Sequence, residues 1–208
     1  MAADAAIQSG MTTFAEYLER IAAKTPTPGG GAVVSSVGAM SAALAGMVVA
    51  YSIGKKSLAA HEGFLADAQK RLTRARTLML DLAKEDEAAY GLVNELMRLP
   101  ERDARREREM PGAVAAAVAV PMAVAAGAVD LLRLYVDLAG KTNPMLRSDL
   151  GIAAELALAT ATGSQWNVRI NAGELPEAAR TKAMVQAEGL VAEGGRLRGV
   201  VAGICGGA

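Results

Sequence analysis

The chain of 208 residues carries 22 basic and 22 acidic side chains, with 52% hydrophobic and only 3% aromatic residues. Zero net charge excludes a global attraction to nucleic acid or to an anionic membrane surface. One Cys and one His exclude an intrachain disulfide and a Cys/His metal centre.

A core this poor in rings is filled by Ala, Val, Leu, Met and Gly, whose small side chains let helices approach closely. Period-two runs of β-branched and aromatic residues are absent. The expected fold is therefore all-α, a bundle of long, closely packed helices forming one domain over residues 1–208. No basic segment followed by an apolar one opens the chain, so no signal peptide is expected and the cytoplasm is the expected compartment.

In chain order, Thr13 and Glu16 make a capping box ahead of Phe14, Tyr17, Leu18 and Ile21, which share one helical face. Pro26, Thr27, Pro28, Gly29, Gly30 and Gly31 follow as a rigid approach and a permissive turn. A second helix is predicted over residues 32–52. Residues 25–54 and 111–129 hold no charge and are long enough to cross a bilayer. They are rich in Ala, Gly and Ser rather than Leu, Ile and Phe, and lack aromatic belts and one-sided basic flanks. They are read as helices buried within a soluble protein rather than as membrane spans.

A long amphipathic helix is predicted over residues 59–99, ended by Pro100. The interleaved charges of residues 101–109 read as a solvated helix start. An Ala-rich helix then runs to about residue 139, with a kink expected near Pro121. Residues 140–148 read as a loop, residues 149–163 as a helix, and residues 174–203 as the last helix.

Five places carry candidate chemistry. The Gly29–Gly31 turn before a helix presents backbone N–H groups to an anion, or makes a tight turn. Lys55 and Lys56 end an uncharged helix and suit a carboxylate-bearing ligand, or compensate the helix dipole. If the helix persists, Tyr51 shares a face with Lys55. Asp86, among Ala88, Ala89 and Tyr90, is either an inward-facing general base or a solvated acid. Ser148 and Asp149 suit a helix cap and first turn. Asn167 and Asn171, one turn apart, invite a polar ligand or a buried hydrogen-bond network, and Trp166 is core or stacking platform.

Taken together, Pro28-Gly29-Gly30-Gly31, Ile53-Gly54-Lys55-Lys56, Asp86 to Tyr90, Leu99-Pro100, Ala119-Val120-Pro121, Asn143 with Arg147-Ser148-Asp149-Leu150, and Asn167 with Asn171 resemble the formiminotransferase-cyclodeaminase and methenyltetrahydrofolate cyclohydrolase family, in family order. The resemblance implies an all-α homodimer acting on a tetrahydrofolate substrate without metal or redox cofactor. Some relatives carry a fused formiminotransferase domain, for which 208 residues leave no room. Hydration of the methenyl bridge to 10-formyltetrahydrofolate is therefore expected, with ammonia release from the formimino group as the alternative. A non-enzymatic helical folate-binding or scaffold protein is a further alternative. On this reading Asp86 is the general base. Asp149 is a second acid or holds the pterin, and Lys55 is the third catalytic candidate. Pro28, Gly29, Gly30, Gly31, Lys56, Asn143, Arg147, Ser148, Asn167 and Asn171 contact substrate.

Overall fold

The structure is a computed structural model that describes residues 13–206. The N-terminal stretch in which no signal peptide is expected lies outside them. Among the described residues there are six α-helices and no strand: α1 Phe14–Ala22, α2 Gly30–Ala50, α3 Glu62–Met97, α4 Ala104–Leu138, α5 Arg147–Asn171 and α6 Glu177–Gly206. Short 3₁₀ turns, Lys56–His61, Pro144–Leu146 and Ala172–Glu174, join α2 to α3, α4 to α5 and α5 to α6.

The capping box forms as the sequence predicts. Thr13 N–H donates to Glu16 Oε2 at 2.6 Å and Glu16 N–H donates to Thr13 Oγ1 at 3.2 Å. Asp103 caps α4, accepting from Arg105 N at 2.8 Å and Arg106 N at 3.2 Å. Arg106 also donates to Leu99 O at 2.8 Å, which fixes the turn around Pro100. The turn after α2 closes through Gly54, whose φ of 77° suits glycine, with its N–H on Glu62 Oε2 at 3.1 Å.

Three boundaries differ from the sequence reading. α5 does not stop near residue 163 but continues to Asn171, because Ala161, Ser164 and Val168 extend its buried face. Ser148 is not a cap: it lies inside the helix after Leu146, while Asn143 caps the preceding 3₁₀ turn by accepting from Met145 N at 3.3 Å. α2 ends at Ala50, and Lys55 is extended, so Tyr51 and Lys55 share no helix face.

α2 runs antiparallel to both α3 and α5. Its partners along α3 are Gln69 at Gly46, Met79 at Gly38 and Asp86 at Gly31; along α5 they are Thr160 at Gly38 and Asn167 at Gly30. At Gly38 an added Cβ would meet Met79 Sδ at 3.0 Å and Thr160 Cγ2 at 3.1 Å, so helix approach sets residue size there. The core centres on Leu65, Leu72, Met79, Leu132, Tyr135, Leu138 and Leu150. Ser41 Oγ donates to Ala153 O at 2.7 Å, leaving its lone pairs for the Tyr135 hydroxyl at 2.8 Å, so one buried network ties α2, α4 and α5.

The two uncharged segments form α2 and the middle of α4, both long and apolar enough to cross a membrane. In the bundle about half of each apolar window is buried, 56% for α2 and 50% for α4.

Candidate active site

The helices alternate direction, so alternate connections gather at the same end. One end collects the start of α2, the last turns of α3 and α5, and the N-terminal half of α4. A cleft of ≈ 240 Å³ opens there, lined by Pro26, Thr27, Gly29–Gly31, Asp86, Tyr90, Asn167, Ile170 and Asn171.

Asp86 is half-buried on α3 and lies against the first turn of α2. A Cβ on Gly31 would collide with its carboxyl group, so the glycine is required by the carboxylate rather than by its own backbone, which has no positive φ. The Ala32 N–H beside the carboxylate favours its charged form. Burial outweighs that effect, and Glu87 adds repulsion, so the Asp86 pKa is raised above the ordinary aspartate value. A poised carboxylate at the positive end of a helix is suited both to proton transfer and to facing a cation. Arg20 on α1 sits 3.6 Å from Glu87, and Tyr17 donates to Ser36 Oγ at 3.0 Å, holding α1 beside the cleft.

The two asparagines have different surroundings. Asn167 Nδ2 is buried without a hydrogen-bond partner among the described residues, while its Oδ1 lies 3.4 Å from where a Gly30 Cβ would be. A buried unpaired donor lining a cleft is a ready partner for a ligand acceptor. Asn171 Nδ2 instead donates to Ala117 O at 2.6 Å. Ala117 lies four residues before Pro121, which has no N–H to close the helical bond. Asn171 thus supplies the donor that Pro121 removes, and α4 passes through Pro121 without interruption. This pins the last turn of α5, and so Asn167, to α4.

The remaining candidates lie at the opposite end. Lys55, Lys56, Asn143, Arg147, Ser148 and Asp149 cluster around the end of α2 and the start of α5. The length of α2, 21 residues, puts about 30 Å between the two ends. Asn143 N–H donates to Ser52 Oγ at 2.8 Å, tying the two loops together, and Asp149 sits half-buried in the first turn of α5. Thr27, Tyr90 and Ile170 were not singled out as site residues. Their positions beside Gly29, Asp86 and Asn171 were the available signal. Trp166 is exposed, with the Arg169 guanidinium 5.1 Å from its ring centre. Among the described residues no group of three His, Cys, Asp or Glu side chains is placed to hold a metal.

The cleft of this all-helical bundle thus combines one half-buried carboxylate, seated on a helix N-terminus, with the free amide donor of Asn167 among the described residues. The sequence profile of the formiminotransferase-cyclodeaminase family matches residues 13–188, and the chain belongs to that family. It is 31% identical to the methenyltetrahydrofolate cyclohydrolase of Methylorubrum extorquens, over 91% of this chain and 93% of that one. It is 27% identical to the formimidoyltransferase-cyclodeaminase of Gallus gallus over 77% of this chain, but spans only 30% of that longer protein. A crystal structure of formiminotetrahydrofolate cyclodeaminase from Thermotoga maritima superposes with a TM-score of 0.85 and 31% identity, covering 94% of this chain and 96% of that chain.

Proposed function

We propose that the chain is a methenyltetrahydrofolate cyclohydrolase, converting 5,10-methenyltetrahydrofolate to 10-formyltetrahydrofolate. The observation that supports it is the half-buried Asp86 carboxylate in the cleft of a chain 31% identical to a cyclohydrolase along nearly its whole length. The methenyl bridge is an amidinium-like cation, and the Asp86 carboxylate stabilises that charge as it binds. Water attacks the bridge carbon, its oxygen forming the new C–O bond, and Asp86 takes a proton from it. The neutral carbinolamine then loses its hydroxyl proton as the bond from carbon to N5 breaks. The proton on Asp86 passes to N5, and one proton is released overall. No oxidation state changes, so the reaction calls for no redox cofactor.

In this reading Asn167 Nδ2 donates to a pterin acceptor, and the α2 N-terminus receives a carbonyl or carboxylate of the substrate. The Thermotoga maritima likeness supports a second reading, release of ammonia from formiminotetrahydrofolate by the same cleft. Purified protein given each substrate separates them. The cyclohydrolase reading expects loss of methenyl absorbance and no ammonia from the formimino compound; ammonia release with the methenyl compound untouched overturns it.

A further inference from the structure

Two walls of the cleft repeat one pattern. α3 and α5 both run antiparallel to α2, and so parallel to each other. Asp86 on α3 lies level with Gly31, and Asn167 on α5 lies level with Gly30. One turn further along each helix, on the same face, stands an apolar side chain: Tyr90, four residues after Asp86, and Ile170, three after Asn167. All four line the cleft. The inner pair is polar and half-buried, and the Asn167 donor is buried outright. The outer pair is open to solvent, Tyr90 41% exposed and Ile170 73%. Large apolar side chains left open on both walls of a mouth, with polar groups further in, suit a flat ring passing between them.

Charge sets the direction in which a folate enters. Asp86 is the one carboxylate that lines the cleft, and no Lys or Arg lines it among the described residues. Methenyltetrahydrofolate is cationic at its bridge and anionic at its glutamate end. The bridge is drawn to Asp86, and the glutamate end is turned out to water. The cleft, ≈ 240 Å³, lies below the roughly 300 Å³ at which pockets for whole drug-sized ligands begin. It suits the pterin and the bridge rather than the entire molecule. The aminobenzoyl ring hangs on N10 of the bridge, so it lies next outward from Asp86. Tyr90 stands about 6 Å outward along α3, the rise of four helical residues.

We propose that Tyr90 and Ile170 form a pair of jaws at the cleft mouth that grip the aminobenzoyl ring of the substrate, while Asp86 and Asn167 hold the bridge and the pterin further in. The proposal rests on the folate reading of the cleft. It assigns Tyr90 a role through its ring and not through its hydroxyl, and makes the jaws the part of the site that tells a folate from a bare pterin.

Kinetics of the purified full-length chain test it. A contact made equally in the ground and transition states changes KM alone. Tyr90→Leu should therefore raise KM for methenyltetrahydrofolate about 3- to 10-fold, the worth of an aromatic pair, with kcat little changed. Ile170→Ala should raise it about 3- to 5-fold through lost apolar contact. Tyr90→Phe keeps the ring and should restore the wild-type KM. 6-Methyltetrahydropterin, which lacks the aminobenzoyl arm, should compete with the substrate with the same Ki in wild type and in Tyr90→Leu. A Ki that rises in step with KM, or a pterin that fails to compete at millimolar concentration, overturns the proposed seating. So does an unchanged KM in Tyr90→Leu, or a Tyr90→Phe variant as impaired as Tyr90→Leu, which would give the role to the hydroxyl. A second readout does not depend on turnover. The Kd for 5-formyltetrahydrofolate should be alike in wild type and Tyr90→Phe and weaker in Tyr90→Leu. Protein that shows this order yet leaves methenyltetrahydrofolate intact keeps the jaws and removes the reaction. Protein that neither hydrolyses nor binds these folates removes the folate reading, and the jaws with it.

Discussion

Replacing Gly31 with Ala adds one methyl group and aims it at the Asp86 carboxyl. At a helical position with ordinary backbone angles the exchange would stabilise the chain by about 0.5–1 kcal/mol. Here the methyl has no space, and overpacking costs about 1–3 kcal/mol, so the net effect on stability is about 0–2 kcal/mol of loss. The larger effect is on turnover. The carboxyl must move away from the first turn of α2, and a misplacement of about one ångström costs on the order of a hundredfold in rate. Gly31→Ala is therefore expected to lose about 100-fold or more in kcat/KM for methenyltetrahydrofolate, with urea unfolding shifted only slightly. Gly30→Ala is the control, because its new methyl would lie 3.4 Å from Asn167 Oδ1, an ordinary contact. It should lose far less. Wild-type kcat/KM in Gly31→Ala would refute the reasoning, since the carboxylate would then not need the place the structure gives it.

Four further outcomes follow from the same geometry. Because burial and Glu87 raise the Asp86 pKa, and the carboxylate is the working form, kcat/KM should fall as pH drops through a value above that of ordinary aspartate. The sign for stability is opposite: a raised folded-state pKa favours folding at low pH and that gain is lost as pH rises through it, so Asp86→Asn should melt no lower than wild type at neutral pH. Asn171→Ala leaves Ala117 O without its donor and should cost about 1–3 kcal/mol in chemical denaturation. Pro121→Ala in that background restores a backbone N–H, and a double variant no more stable than Asn171→Ala would refute the pairing. Asn167→Ala removes an unpaired buried donor and should cost little stability but raise KM about 3- to 10-fold, the worth of about one hydrogen bond.

Much of the fold was legible. Capping at Thr13, the α2 turn and the long α3 follow from residue type and spacing. α5 was read too short because Gly163 and Ser164 resemble a stop, whereas Gly163 gives way to Val34 across the interface and Ser164 bonds back to Thr160 O at 2.8 Å. Asp86 was legible as a candidate, but its contact with Gly31 was not, since a carboxylate mid-helix is ordinarily solvated. Pro121 announces an orphaned carbonyl, yet nothing local names Asn171, 54 residues from Ala117, as its donor. The candidate residues read as one site divide between two ends. Alternating helix directions already carried that information, because the connections before α2 and before α3 must lie at opposite ends.

The central claim is that Asp86, seated on the first turn of α2, carries the chemistry. The direct measurement is the decay of methenyltetrahydrofolate absorbance with purified wild type beside Asp86→Asn, together with ligand binding to both. The account predicts that turnover in the variant falls by about 100- to 10,000-fold while binding persists, the range for loss of a general base. A variant that turns over at the wild-type rate would contradict it.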